Sequence, residues 1–392
     1  MKKQNLALKI ITIFCFSIAV IHCGRQKPTQ IDGTIGPVTF VVVDESQMPK
    51  SIENVEFSPI EGAKLRLYSK EYNFFCEFIT DDNGQCTAEN LLASTYQLSV
   101  DKFISAAKWL EQGGIANDIL LTGGKEIILS TSQFPVVDTV KCERVLLSGL
   151  VINEIYYCGP PASGTYYFDQ FIELYNASDS TLFLDGLIIC RASPNPVRLG
   201  ECAEAIYSYQ FPGTGQEYPV LPGEFVVIAQ DAIDHVEQGG AAGSLDLSGA
   251  DWEFYTELEP DIDNPAVPNL HNINPNKSVD FLLNMVHNAV FLIKAKNAGE
   301  IQPIGDGHQL YEIEEVIDGI EYSGNSEIEK DVDVRIDAGT AGSGIARYTG
   351  KSVERCHPET GQPGYDTNNS TFDLVTLKSP TPGRQHVPSE RD

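Results

Sequence analysis

The sequence predicts an all-β protein made of two antiparallel β-sandwich domains. Short runs that alternate apolar and polar residues recur along most of the chain, and Gly, Asn, Asp or Pro residues separate them. With 392 residues, the chain is longer than one hydrophobic core normally organises. Short strands with frequent turns, in a chain of this length, therefore indicate two stacked-sheet units rather than one large domain.

The N-terminal segment indicates where the protein goes. Lys2 and Lys3 precede an apolar run over residues 10–21, and Cys23 follows directly. The run is shorter than the ~20 residues of a membrane-spanning helix, so residues 1–22 are predicted to be a lipoprotein signal peptide and Cys23 the lipidated residue. His22 departs from this pattern, which usually has a small residue there; an ordinary signal peptide or a buried segment is the alternative. Gly24, where inner-membrane lipoproteins often carry Asp, favours anchoring to the outer membrane.

The chain is strongly acidic. It has 27 basic and 55 acidic residues, a net charge of −28. Removal of the signal peptide, with Lys2, Lys3 and Lys9, leaves 24 basic residues against 55 acidic ones, a net charge of −31. Such a surface repels phosphate backbones, so nucleic acid is excluded as a partner, and the membrane is a partner only through the lipid. The acidity favours solubility outside the cell over a dedicated cation-binding surface.

Seven cysteines follow Cys23, and an exported chain can oxidise them to disulfides. No Cys-x-x-Cys motif occurs, which argues against a zinc ribbon or a thioredoxin-type site. Proximity in sequence suggests pairing of Cys76 with Cys86 and of Cys190 with Cys202. The odd count leaves at least one thiol without a partner in a monomer, and the connectivity stays open.

Changes in pattern along the chain predict its domain boundaries. Residues 23–36 are polar and contain Pro and Gly, as expected of a lipidated tether. The first sandwich spans 37–131, with a possible short helix over 102–112, and 132–146 is a predicted linker. The second sandwich spans 147–385, and residues 386–392 form a tail.

Two segments of the first sandwich form a recognisable pattern: Gly62-Ala63 opens a strand, and TDDNGQCTAENLLASTYQLSV follows at 80–100. These residues resemble the carboxypeptidase-regulatory or transthyretin-like fold. Asp82-Asn83-Gly84 supplies residues that tolerate a left-handed turn between two strands. Asp81 and Asp82 are better explained by this turn than by a calcium loop, because the alternating oxygen ligands of such a loop are missing.

The second sandwich contains six ordered segments of one pattern: residues 151–155, 171–176, 184–186 and 221–224, Arg347, and residues 381–383. In this order they resemble an enlarged lamin-tail domain, an immunoglobulin-like fold found on many exported bacterial proteins. The combination of the two sandwiches is similar to one uncharacterised family of bacterial lipoproteins that pairs a regulatory-type sandwich with such a domain.

Two insertions, around 191–217 and 231–330, enlarge this domain beyond a plain lamin tail. Individual function is expected there, because insertions between framework strands carry loops. Within the second insertion, Asp251, Trp252, Asp261 and Asp263 form a candidate ligand or calcium surface. A solvated acidic loop is the simpler interpretation, since Asp and Pro clusters mark turns more often than metal sites.

The sequence contains no motif for enzymatic chemistry. It lacks a Gly-x-Ser-x-Gly elbow, a His-Glu-x-x-His motif, a phosphate loop and a dinucleotide fingerprint. No catalytic residue and no metal-ligand set is therefore predicted, and calcium is the one ion considered as a cofactor. Glu154 and Glu173 fall in neighbouring strands and could act as an acid and base pair. A framework role, with hydrogen bonds to the loop containing Arg347, explains them better.

These observations predict a lipid-anchored, exported protein of the cell envelope that acts as a non-enzymatic binding or structural module. Its ligand would be a protein or a glycan, which the loops at the ends of a sandwich can recognise. The alternative is a hydrolase at the cell surface that uses carboxylates or calcium, acting on carbohydrate. A purely mechanical stalk is the third possibility.

Overall fold

The computed structural model describes residues 34–45, 58–69, 71–72, 74–105, 108, 119–131, 136–146, 149–161, 166–193, 202–238, 241–257, 261–274, 281–295, 302–304, 308–325, 330–333, 335–358 and 360–392. The predicted signal peptide, Cys23 and most of the predicted tether lie outside these ranges. The described residues are almost entirely strands and turns, which confirms the predicted all-β fold class. No helix within the described ranges is long and apolar enough to cross a membrane.

The first domain is an eight-stranded sheet folded over its own core. Its strands run in the order β2-β1-β8-β7-β6-β3-β4, and β5 pairs with β1 on the edge that also carries β2. Inward-facing residues such as Val38, Phe40 and Val42 alternate with more exposed ones, as the period of a β-strand requires. The strands are β1 (Val38–Asp44), β2 (Ser58–Pro59), β3 (Lys64–Ser69), β4 (Phe74–Ile79), β5 (Gln85–Ala88), β6 (Ser94–Ile104), β7 (Ile119–Leu129) and β8 (Val136–Leu146).

Two predicted boundaries in this domain are wrong. The predicted linker over 132–146 contains β8, which pairs in parallel with β1 and in antiparallel with β7. The predicted helix over 102–112 starts too early, because β6 continues to Ile104 and pairs with β7 along its length. Lys108 is helical, and residues 106–107 and 109–112 lie outside the described ranges. In both places, pairing with a distant strand determines the conformation, and local residue preferences do not reveal such pairing.

The second domain begins three residues after β8, and its elements before the second insertion are short. They are β9 (Leu150–Tyr156), β10 (Phe171–Asn176), β11 (Leu182–Phe183), β12 (Ile188–Ala192), β13 (Cys202–Gln210), β14 (Pro219–Val220) and β15 (Phe225–Ala229). The elements that follow are β16 (Trp252–Glu253), β17 (His271–Asn272), β18 (His287–Ile293), β19 (Gln302–Ile304), β20 (His308–Glu312), β21 (Val316–Ser323), β22 (Ser352–Arg355), helix α1 (Ser370–Asp373) and β23 (Leu374–Leu377). Short 3₁₀ turns lie at Ile313–Glu315 and Pro388–Glu390.

Two sheets of the second domain enclose its main core. One has the order β16-β15-β10-β9-β22-β23, and the other has the order β19-β20-β13-β12-β18-β21 with β17 attached to β13. Alternate residues of β12 face opposite ways: Ile189 packs in the main core, while Ile188 and Cys190 pack in a second apolar cluster. The insertions therefore supply much of the second sheet, which has an apolar cluster on each face.

Neither predicted disulfide is formed, since Cys86 and Cys190 are free thiols. In the β12–β13 pair, Cys190 lies opposite Ser208, six residues along the strand from Cys202. That offset corresponds to about 20 Å, far beyond the reach of a disulfide. Cys76 lies on β4 opposite Leu67, whereas Cys86 lies on β5 opposite Phe40, so the two belong to separately paired strands. Both are buried in the core of the first domain.

The two domains meet through helix α1 of the second domain. Phe372 packs against Phe75 with ring centroids 5.0 Å apart, and the Arg66 guanidinium lies 5.1 Å from the centre of the Phe372 ring. Nearby, the Asn369 side-chain amide donates to the Ser99 hydroxyl at 3.0 Å. These contacts place the outer face of the β3–β6 sheet against the second domain.

Candidate functional site

The four residues predicted as a ligand or calcium surface do not form one exposed surface. Trp252 is only 5% exposed and packs edge-on against Phe211 and Tyr218, at centroid distances of 5.3 and 4.9 Å. Asp251 accepts a hydrogen bond from the Val227 backbone at 2.9 Å. Asp263 accepts one from the Asn269 side chain, so both of these carboxylates hold local structure. Trp252 is therefore a core residue.

Asp261, the fourth of these residues, joins a group of three carboxylates. Oxygens of Asp231, Glu253 and Asp261 lie within 4.8 Å of one another, and Asp231 and Glu253 are almost fully buried. Burial raises the pKa values of Asp231 and Glu253 to about 7. Clustered carboxylate oxygens are the ligands that calcium prefers, so these three could hold such an ion. The predicted calcium site stays a prediction, with Asp231 and Glu253 as its additional residues.

A row of three glutamates crosses the middle of the first sheet of this domain. Glu154 on β9 lies opposite Glu173 on β10 and opposite Glu354 on β22, and all three are completely buried. The β9–β10 pairing has a bulge at this point, and Asn153 is the extra residue. A bulge turns two consecutive side chains to the same face, and the Asn153 amide accordingly donates to Glu173 at 2.9 Å.

The glutamate row binds the C-terminal segment of the chain. The backbone amides of Thr381, Gly383 and His386 donate to Glu154, Glu173 and Glu354, respectively. Glu154 and Glu173 were predicted to be framework residues that bond to the loop of Arg347; their bonds go to the C-terminal segment instead. Burial raises the pKa of Glu154 to about 7. Burial and the neighbouring Glu154 carboxylate raise the pKa of Glu354 to about 9. Burial also holds the pKa of Glu173 well above its usual range.

A cleft of about 1170 Å³ lies between the two domains. One wall comes from the outer face of β3 and β6 and from the end of β4. On this wall, Ile79 of β4 is 57% exposed and Phe103 of β6 is 53% exposed. The other wall comes from the second domain. It includes the loop that contains Asp179 and the loop from His357 to Thr367, in which His357 and Tyr365 pack with ring centroids 4.5 Å apart.

Buried polar residues hold both loops of the second wall. The side-chain amide of Asn176 donates to the Ser180 and Val220 carbonyls at 2.8 Å, and its oxygen accepts from Ser178 at 2.7 Å. The Arg355 guanidinium donates to the Tyr365 carbonyl at 3.3 Å and to Asp366 at 3.0 Å. A wall fixed in this way is organised before any ligand arrives, which lowers the ordering cost of binding.

The cleft residues were not identified from the sequence. Phe103, Asp179 and Tyr365 come from segments far apart in the chain, and each segment alone has the composition of an ordinary strand or turn. Phe103 also fell in the segment predicted to be helical. Of the lamin-tail-like matches, the one at 151–155 includes Val151, which lines the cleft, but it was interpreted as a framework strand.

Fold and site together describe a class of protein: an all-β, two-domain chain with a cleft at the domain junction. Within it, residues 221–381 match a family model described as "Protein of unknown function (DUF4876)". This match starts at the turn before β15 and ends at the C-terminal turn bound by the glutamate row. No curated protein matches the chain. The match supports the prediction of an uncharacterised family, while the lipoprotein, transthyretin-like and lamin-tail assignments stay predictions.

One solved structure shares this fold over nearly the whole chain. It is a DUF4876 family protein from Bacteroides thetaiotaomicron, 22% identical, with a TM-score of 0.53, covering 90% of this chain and 96% of its own. The major pilin SpaD from Corynebacterium diphtheriae is 10% identical with a TM-score of 0.21, covering 78% of this chain and 73% of its own. A DUF1812 protein from Bacteroides thetaiotaomicron, titled a putative polysaccharide binding protein, is 8% identical with a TM-score of 0.17, covering 50% and 76%. The last two similarities are too slight to indicate a shared fold.

Proposed function

We propose that this chain is an exported, non-enzymatic binding module of a bacterial cell envelope, held to the outer membrane by a lipid on Cys23. The cleft between the two domains carries the proposal. Ligand sites occur preferentially at domain junctions, and this one combines exposed apolar side chains with fixed polar loops. The signal pattern of residues 1–22 supports export and anchoring.

The placement of the carboxylates favours binding over hydrolysis. The glutamate row and the Asp231, Glu253 and Asp261 group lie outside the cleft lining. Two of the carboxylates that do line the cleft are engaged by buried arginines, Asp101 by Arg66 and Asp366 by Arg355. Each of these two carboxylates is therefore tied into the framework of its own domain and is not placed to exchange a proton with a ligand.

A binding experiment tests the role of the cleft. The mature chain without its lipid should sediment with isolated envelope fragments, and the double variant Ile79→Asp with Phe103→Asp should bind about tenfold more weakly, because two charges then replace exposed apolar contacts. The matched control is Ile128→Asp with Val137→Asp, since both of these residues are exposed apolar strand positions of the same domain outside the cleft. Equal sedimentation of the two double variants would exclude the cleft as the binding surface.

The proposed anchor leads to a second prediction. Cys23→Ala removes the thiol that would carry the lipid, so the variant should move from the detergent phase to the aqueous phase in detergent partitioning. Cys15→Ala, in the apolar part of the same segment, serves as the control and should partition like the native protein. Identical partitioning of the Cys23→Ala variant and the native protein would show that no lipid is attached there.

A further inference from the structure

We infer that the interdomain cleft binds a neutral oligosaccharide, with Phe103 as the ring on which a sugar packs. This inference rests on the proposed binding function and names the chemical class of its ligand. It combines three properties of the cleft: its size, the position of its exposed rings, and the balance of its charges.

The size of the cleft suits an oligomer better than a single small molecule. Its volume of about 1170 Å³ exceeds the roughly 300–1,000 Å³ of pockets that enclose one drug-sized ligand. The cleft is also bounded by walls from two domains and is open to solvent between them. A chain of several sugar units can lie along such a cleft and continue beyond it.

Rings on the two walls provide surfaces for the apolar C–H face of a sugar. The Phe103 side chain is 53% exposed although it belongs to a strand, and it lies on the wall from the first domain. Tyr365 and His357 pack against each other on the other wall. Aromatic rings contribute a large apolar contact with little loss of side-chain freedom, and the Tyr365 hydroxyl adds a polar group.

The charges of the cleft favour a neutral ligand. Its lining contains Lys64 and Lys102 together with Asp101, Asp179 and Asp366, and Arg66 and Arg355 pair with Asp101 and Asp366, so neither sign of charge dominates the lining. The protein as a whole has a net charge of −28. An acidic polysaccharide would meet repulsion from the net charge of the protein and no excess of positive charge in the cleft, whereas a neutral sugar can donate its hydroxyls to the exposed Asp179 carboxylate.

The lining also favours a glycan over a protein segment. Among the described residues, the exposed large apolar side chains are scattered, and Ile79 and Phe103 are the two that line the cleft. The cores of protein interfaces are contiguous apolar patches depleted of charged residues. Five charged residues line this cleft, and its large apolar residues other than Ile79 and Phe103 are buried or half-buried, so it lacks such a core. A sugar exposes hydroxyls around small apolar faces and matches this mixed lining.

The experiment measures binding of the lipid-free mature chain to envelope fragments that have been treated with periodate, which cleaves vicinal diols of sugars, or with proteinase. Dextran and mannan serve as neutral competitors, and polygalacturonate and heparin as acidic ones. We expect periodate to abolish binding, proteinase to leave it, and acidic competitors to have no effect. Phe103→Ala should weaken binding about tenfold, the loss of one aromatic contact, while Tyr72→Ala should not. Tyr72 is the control because it is an exposed ring of the same domain outside the cleft.

The outcomes separate this inference from the proposed function. Binding that survives periodate, that is lost with proteinase alone, or that acidic polymers compete away would overturn the neutral-glycan inference and leave the binding function standing. Equal affinity of Phe103→Ala and Tyr72→Ala would overturn the assignment of Phe103. Absence of any binding to untreated fragments would reject both the inference and the proposed function.

Discussion

Replacement of Arg355 by alanine should lower the free energy of unfolding of the second domain by about 3–5 kcal/mol, because it leaves buried carboxylates without their cation. The Arg355 side chain is 2% exposed. Its guanidinium donates to both oxygens of Asp318 at 2.9 and 3.0 Å, to Asp366 at 3.0 Å and to Asp373 at 3.4 Å. Urea denaturation followed by tryptophan fluorescence measures the change, since Trp252 lies in the core of this domain.

The matched control is Arg384→Ala. Arg384 also pairs with a carboxylate, Glu390 at 2.7 Å, but its side chain is 53% exposed. Exposed pairs contribute about 0–1 kcal/mol, so this variant should unfold close to the native midpoint. If the two variants were equally stable, the buried network around Arg355 would not contribute to stability as described.

Loss of Arg355 should also weaken ligand binding in the cleft, because the guanidinium holds the loop of Tyr365 and Asp366.

The stability of the second domain should fall as the pH rises from about 5 to 9. Burial raises the pKa values of Glu154 and Glu354 in the folded protein to about 7 and about 9. A glutamate in the unfolded chain loses its proton near pH 4.3. Between these values the folded state binds more protons than the unfolded state, so stability is complete below the unfolded pKa and is lost as pH rises through the folded ones. Denaturation curves at several pH values measure this loss, which amounts to several kcal/mol.

A substitution in the glutamate row tests whether these residues cause the pH dependence of stability. Glu354→Gln removes one titrating group while keeping an oxygen that can accept from the His386 backbone. The relevant pH range lies between the pKa of a glutamate in the unfolded chain and the pKa of Glu354 in the folded protein. In this range we expect the free energy of unfolding of the variant to fall less steeply with pH, by about 1.4 kcal/mol per pH unit, which corresponds to one proton. Glu89→Gln, at an exposed position of the first domain, should keep the native slope. A native slope in Glu354→Gln would mean that Glu354 is ionised in the folded protein.

Predictions from the sequence are correct for features that neighbouring residues determine and wrong for features that depend on pairing between distant strands. Alternation along segments such as 38–44 and 94–101 reflects the two faces of a strand, so the all-β class could be predicted without knowledge of strand partners. The predicted linker over 132–146 failed because β8 is stabilised by pairing with β1, about a hundred residues earlier. Proximity in sequence failed equally for Cys190 and Cys202, because strand register separates them.

The two groups of buried carboxylates were predicted only in part, because they also depend on contacts between distant segments. Asp261 of the acidic insert lies in a carboxylate group, but Asp231 joins that group from a different loop and Trp252 turns into the core, so the calcium surface stays a prediction. Glu154 and Glu173 were correctly placed in neighbouring strands, since each lies in a strongly patterned segment. Their third neighbour, Glu354, and their hydrogen-bond donors at 381–386 come from about two hundred residues further along the chain.

By itself, then, the sequence determined the strand-rich character of the chain, its strong negative charge and its N-terminal export pattern, because each of these is a property of single residues or of near neighbours. The tertiary structure alone decided which side chains meet: the glutamate row, the Arg355 network and the cleft around Phe103 and Tyr365. Burial and pairing between distant strands create the shifted pKa values and the shaped surface there, and no local pattern encodes either.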